Sequence, residues 1–302
     1  MQKRMLFLFV VAAAMFASCS DEYKKTKSGL IYKIYSDRKG PVAKKGQIIK
    51  LHFRQKIKDS VLQQTYGGVP GYAMVDSVGP VYNAAELFTS LRKGDSLVVV
   101  LVGDSINKKY GLPPFMKKDD DLTLTFKVLD IFDNAELATK DRTTEYSKQS
   151  DVQKKVFEDF MTSRKDKCQK TPGGAYVDIT AQGDGAQVET GKMVSILYDG
   201  KFIPSGKSFE SNMTGGAPPI DVVMGQGSVI RGWEEGLLLF KKGAKGIIYI
   251  PGDLAYGEQA GIPGSQPFQP MMFDIQVVDV KDAPKQPAQP PMVMPDTSHN
   301  HK

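Results

Sequence analysis

The stretch SVIRGWEEGLLLF, residues 228–240, contains the chain's only tryptophan, Trp233. Gly232 precedes the indole, two acidic residues follow it, and Gly236 closes the group. A short helix here carries its bulkiest side chain between two positions without a Cβ, where another backbone or side chain can come close. Two readings are open. Trp233 is either an ordinary core residue or the floor of a binding pocket, and the rest of the sequence must separate them.

The chain repeats itself. Residues 29–53, GLIYKIYSDRKGPVAKKGQIIKLHF, are echoed by residues 174–198, GAYVDITAQGDGAQVETGKMVSILY. Gly40 answers Gly185, Gly46 answers Gly191 and Phe53 answers Tyr198, all at an offset of 145. LRKGDSLVVVLV (91–102) then matches FKKGAKGIIYIP (240–251), and LTLTFKVLDIF (122–132) matches MMFDIQVVDV (271–280), pairing Gly94 with Gly243 and Phe126 with Phe273. Three blocks in one order indicate a duplicated unit. Val194, Ile196 and Tyr198 alternate as strand residues do, and Gly, Pro and Asp punctuate the turns. Each copy is therefore read as α+β, an antiparallel sheet holding one short helix. Between the copies, Val152, Val156, Phe157 and Phe160 recur at helical spacing, which predicts an amphipathic helix over about 144–165. It is expected to serve as a semi-rigid spacer packed on one of the two copies, with dimerisation as the other use considered.

ILYDG (196–200), GKSFESN (206–212), VIRGWEEGL (229–237), KKGAKGIIYIPGDLAYG (241–257) and MMFDIQVVDV together resemble the FKBP family of peptidyl-prolyl cis–trans isomerases over about residues 171–282. The resemblance implies a bent antiparallel sheet wrapped around one short helix, with an apolar cavity between them. By position, Trp233 is the indole floor and Tyr198, Phe209 and Phe273 are aromatic walls. Val229 and Ile230 form the rim, with the Ile230 backbone N–H as donor to a substrate carbonyl, and Tyr256 stands at the mouth. Glu210 replaces the family's usual aspartate, Ile220 stands where an aromatic is common, and the loop EQAGIPGSQPFQP (258–270) departs from the family pattern around Ile262. The implied activity is isomerisation of X–Pro bonds, with no cofactor and no metal. Residues 29–133 resemble the family more weakly. Leu62 and Gln63 stand at the wall aromatic and the acid, Ala84 falls at the indole position, and Tyr110 and Phe126 are the candidates for a retained phenol and inner aromatic. This copy is read as a non-catalytic domain.

The remaining features place the protein. Lys3 and Arg4 precede an apolar run of about a dozen residues that ends in FASC, so residues 1–18 read as a secretory leader. FASC resembles a bacterial lipobox, which makes Cys19 the acylated N-terminus and residues 19–28 a tether. Loss of Lys3 and Arg4 lowers the formal charge from +6 to +4. That modest value, without an aromatic-basic stripe, argues against nucleic-acid binding. Cys168, the other cysteine, then has no disulfide partner and is expected to be exposed and incidental. The layout is a linker at 134–170, an isomerase domain at 171–282 and a Pro-rich tail at 283–302, where His299 and His301 form too sparse a pair to specify a metal. The expected protein is a lipid-anchored isomerase of the bacterial envelope, on the periplasmic side of the outer membrane or at the surface, acting on proline-containing segments of exported proteins. A non-catalytic module gripping such segments is the alternative.

Overall fold

The computed structural model describes residues 22–76 and 80–284. The leader, Cys19 and residues 285–302 lie outside the described residues, and so do the expectations attached to them. In chain order the first half forms strands β1 (Lys24–Lys25), β2 (Ile31–Tyr35), β3 (Ile48–Ile57), β4 (Ser60–Gln64), β5 (Gly71–Met74) and β6 (Ser96–Leu101), helix α1 (Gly103–Tyr110) and strand β7 (Leu122–Phe132). Helix α2 (Ala135–Met161) follows. The second half forms β8 (Gln169–Lys170), β9 (Tyr176–Ala181), β10 (Lys192–Phe202), β11 (Ser208–Ser211), β12 (Ile220–Val223), helix α3 (Arg231–Leu237), β13 (Lys245–Ile250) and β14 (Met271–Asp282). The fold is α+β, built on two antiparallel sheets.

The duplication is explicit in the strand order. The first sheet runs β1-β2-β6-β7-β3-β4 with β5 also on β3, and the second runs β8-β9-β13-β14-β10-β11 with β12 also on β10. Even the irregularities repeat. The β3–β7 ladder shifts register between Lys50 and Leu51, and the β10–β14 ladder shifts between Ser195 and Ile196, which is the same place at the offset of 145. Bulges bend a strand and increase its twist, so the two sheets curve at equivalent points. Lys24 and Lys25, expected in the tether, instead pair with Tyr32 and Ile31 as an edge strand.

The pairing corrects one detail of the sequence match. Val99 faces Leu124 where Ile248 faces Phe273, so the counterpart of Phe273 is Leu124 and Phe126 corresponds to Ile275. Matching aromatic to aromatic had slipped the strand by two residues, which keeps the face and hides the error.

Alternation along β10 produces the second core. Val194 and Ile196 are fully buried and Tyr198 nearly so, and they meet Leu237, Ile248, Ile250 and Ile275. Burying each such aliphatic side chain contributes about 1.5–3 kcal/mol. Helix α3 lies directly on β13 because of its two glycines. A Cβ at Gly232 would stand 2.4 Å from Ile250 Cγ2, and one at Gly236 would stand 2.9 Å from Ile248 Cδ1. The glycine brackets in SVIRGWEEGLLLF are thus a packing requirement that brings the indole down onto the sheet.

Helix α2 begins nine residues earlier than the apolar spacing indicated, because Asn134 caps it by accepting from the Leu137 N–H. Its inward face also differs from the expected one. Val152 is 56% exposed, whereas Gln149, Gln153, Phe157 and Met161 are buried at successive intervals of four. Phe157 and Met161 pack with Ile203 and Tyr249 on the back of the second sheet. At the other end, Lys50 of β3 reaches Asp141 at 2.7 Å and Glu145 at 3.3 Å, and the Tyr72 hydroxyl of β5 donates to Asp141. The helix therefore packs on both halves rather than on one. Cys168 is half-buried rather than exposed. Its thiol donates to the Arg164 carbonyl, and burial, then the Asp178 charge, push its pKa up, which keeps it a thiol.

Candidate active site

Six segments converge on a cavity of about 360 Å³ between α3 and the concave face of the second sheet. β10 contributes Tyr198, β11 contributes Phe209 and Glu210, and β14 contributes Phe273. Ser228, Val229, Ile230 and Trp233 come from α3 and the loop before it, with Ile220 from β12 and Tyr256 from the loop after β13. Nine of the ten positions singled out from sequence line this space. Ile262 does not; it packs partly buried against the core from within the 257–270 loop.

The rings are set edge to face. Trp233 lies 5.2 Å from Tyr198 at 83° and 5.2 Å from Phe273 at 88°, and Phe209 meets Phe273 at 5.8 Å and 86°. Such T-shaped contacts satisfy the ring quadrupoles and hold each ring in one orientation. Trp233 is only 4% exposed yet lines the cavity, so the indole is a core residue that also borders the open space. Its Nε1–H is buried without a partner.

Gly200 makes the arrangement possible. A Cβ there would stand 2.7 Å from Phe209 Cζ and 2.9 Å from Phe273 Cε1, so only glycine lets both rings lean over β10. The sequence reading missed this residue, although it closes the quoted block ILYDG. It also missed two positioning residues. The Glu234 carboxylate accepts from the N–H groups of Gly225 (2.7 Å) and Gly227 (3.0 Å), tying down the loop that presents Val229 and Ile230. Asn212 accepts from the Tyr198 N–H and donates to the carbonyls of Ile196 and Pro218, fixing the chain after β11 to β10.

The polar groups at the cavity are few. The Ile230 N–H has no hydrogen-bond partner among the described residues. Burial, reinforced by hydrogen bonding to Glu210 and by its charge, pushes the Tyr198 hydroxyl up to about 12. Burial and the Glu210 charge also raise Tyr256. Both phenols are therefore protonated donors at neutral pH. Among the described residues, the arrangement offers an apolar slot, an unpaired backbone donor at the rim and neutral hydroxyls.

The first half lacks these features. Ala84 occupies the Trp233 position at the start of a 3-10 helix, Ala84–Ser90, and Gln55 replaces Gly200. Register places Leu62 and Gln63 at Phe209 and Glu210. Tyr82 is buried in the same core as Ala84, with its hydroxyl accepting from the Val102 N–H. Tyr110, considered above as a retained phenol, is 67% exposed and donates to the Val81 carbonyl.

A profile described as FKBP-type peptidyl-prolyl cis-trans isomerase matches residues 185–278. The FKBP-type peptidyl-prolyl cis-trans isomerase FkpA of Escherichia coli strain K12 is 39% identical over 117 residues, covering 39% of this chain and 42% of that protein. A probable FKBP-type peptidyl-prolyl cis-trans isomerase of Haemophilus influenzae is 31% identical over 165 residues, 55% of this chain and 66% of that one. The crystal structure of Escherichia coli FkpA aligns over 49% of this chain and 66% of that chain, with 31% identity and a TM-score of 0.41. The chain thus spans about two fifths of the length of the first of these relatives. The segment that builds the cavity, residues 185–278, belongs to the FKBP-type peptidyl-prolyl cis-trans isomerase family.

Proposed function

We propose that the whole protein is a lipid-anchored peptidyl-prolyl isomerase of the bacterial cell envelope that assists the folding of exported proteins. Catalysis resides in the second half, and the observation that carries this is the open aromatic cavity floored by Trp233 beside the unpaired Ile230 N–H. An X–Pro bond resists rotation because twisting it breaks amide resonance, against a barrier of ~18–20 kcal/mol. The planar amide is the more dipolar state, so an apolar, water-poor slot favours the twisted one. The proline ring sits on the Trp233 face between Tyr198 and Phe273. The Ile230 N–H holds a flanking carbonyl, so that rotation is confined to one bond. Tyr256 and Glu210 orient the peptide at the mouth. An acceleration of ~10⁵ requires about 7 kcal/mol, within reach of shape and one or two hydrogen bonds.

Residues 29–133, lacking the indole and carrying Gln55 for the cavity glycine, act in this reading as a non-catalytic domain. The leader and Cys19 supply export and the lipid anchor, which mass spectrometry of the mature N-terminus would reveal as a diacylated cysteine. The activity is tested by cis–trans exchange NMR on a short peptide with an apolar residue before proline. The full chain should accelerate exchange well above the spontaneous rate. The rate should be flat from about pH 6 to pH 9, because Tyr198 and Tyr256, both shifted upward, stay protonated throughout. A rate equal to the spontaneous one would favour the non-catalytic module instead.

A further inference from the structure

The loop 257–270 that flanks the cavity mouth is not held by the isomerase domain alone. Gln149 of α2 donates through Nε2 to Gln266 Oε1 at 3.2 Å and to the Pro267 carbonyl at 3.4 Å. Gln153, one turn on, donates to the same Gln266 Oε1 at 3.3 Å. Tyr146 meets Phe268 edge to face at 6.5 Å, and Lys154 pairs with Asp253 at 3.4 Å. On its other side, Gln266 lies over the β4–β5 turn of the first half: a Cβ on Gly67 would stand 3.3 Å from its Nε2 and one on Gly68 3.6 Å from its Cδ.

From this knot the connection to the site is short. The Phe268 N–H donates to the Gly257 carbonyl at 2.6 Å, and the Phe268 carbonyl packs so closely on Gly252 that a Cβ there would stand 1.9 Å away. Gly261 of the same loop lies against the Tyr256 ring, with room for no Cβ (2.2 Å from Cδ1). The ring of Tyr256, the mouth residue, is therefore packed against this loop.

Packing alone does not account for two buried glutamines on α2. Their helix face continues into Phe157 and Met161, and apolar residues there would bury the same area without cost. As it stands, both donors converge on one acceptor, and Gln153 Oε1 is buried with no partner. A buried polar atom left unpaired is unfavourable, and such groups call for a specific role.

We propose that Gln149 and Gln153 are positioning residues for the isomerase site: by gripping Gln266 they hold the 257–270 loop, and with it Tyr256, in place for substrate entry. The first half takes part, because Asp141 and Glu145 on the same helix face are bound to Lys50 and Tyr72. The linker and the non-catalytic domain then set how well the pocket receives a peptide. This inference rests on the isomerase reading above, but one arm of its test does not depend on activity.

The test uses the full chain carrying Gln149→Leu and Gln153→Leu together, which keeps the packing and removes the donors, and separately Gln266→Ala, which releases the loop from its own side. Hydrogen exchange of residues 256–268 should accelerate several-fold while exchange in β9, β10 and β14 stays as in wild type. The KM for a prolyl peptide should rise on the order of three- to tenfold with kcat changed less than about twofold, as expected when a mouth contact binds substrate and transition state alike. Unchanged loop exchange and unchanged KM would overturn the proposal, and so would a lowered melting temperature with neither of them altered, which marks a purely structural role. Should wild type prove inactive, the isomerase reading fails and the loop-exchange result still decides the glutamine grip.

Discussion

Trp233→Ala should lower kcat/KM for prolyl isomerisation by about 100-fold or more, measured on folded protein by exchange NMR. Removing the indole takes away the surface on which the proline ring rests and lets water into the cavity, so orientation and desolvation are lost together; loss of about 3 kcal/mol of transition-state binding corresponds to roughly that factor. The same change leaves a void beneath Tyr198 and Phe273 and should cost about 3–5 kcal/mol of stability. Trp233→Phe separates the two effects. It keeps an aromatic floor and removes an indole N–H that is buried without a partner, a group whose desolvation costs about 1–3 kcal/mol. Thermal unfolding of Trp233→Phe should therefore lie much closer to wild type than that of Trp233→Ala, while its activity falls to an intermediate level. Equal activity in all three proteins would remove Trp233 from the mechanism.

Gly200→Gln should close the site from the opposite wall. The new Cβ arrives within 3 Å of both Phe209 and Phe273, so the two rings must retreat into the 360 Å³ that a peptide would occupy. Overpacking of this kind typically costs about 1–3 kcal/mol, which a well-packed sheet survives. Activity should fall on the order of 100-fold in the same exchange assay, with the protein still folded by circular dichroism, because a misplacement of about 1 Å at a catalytic wall can cost that factor. The chain already contains the comparison: Gln55 stands at this position in the first sheet, opposite Gln63 as Gly200 stands opposite Glu210. Activity close to wild type in Gly200→Gln would show that the two rings do not shape the slot.

What was legible in the sequence follows the range of each signal. The duplication and the α+β class came from local patterns such as strand alternation at Val194, Ile196 and Tyr198, whereas the cavity lining came from the family resemblance carried by five ordered blocks around Trp233. The face of α2 was not legible. Apolar spacing selected Val152, whereas the helix buries Gln149 and Gln153, because their partner Gln266 lies 117 and 113 residues away and polar burial leaves no hydrophobic period. Leu124 was hidden behind Phe126 because strand register is fixed by pairing with β6, which aromatic identity cannot report. Gly200 escaped notice for a related reason, since its requirement arises only when Phe209 and Phe273 lean across β10 from separate strands.

The central claim, that a prolyl ring docks on the indole, can be read from the indole itself, since Trp233 is the chain's only tryptophan. Titration of the full chain with a peptide containing an apolar residue before proline should give a saturable change in tryptophan emission, absent when alanine replaces the proline. Emission that stays constant through saturating prolyl peptide, or that responds equally to the alanine peptide, would contradict it.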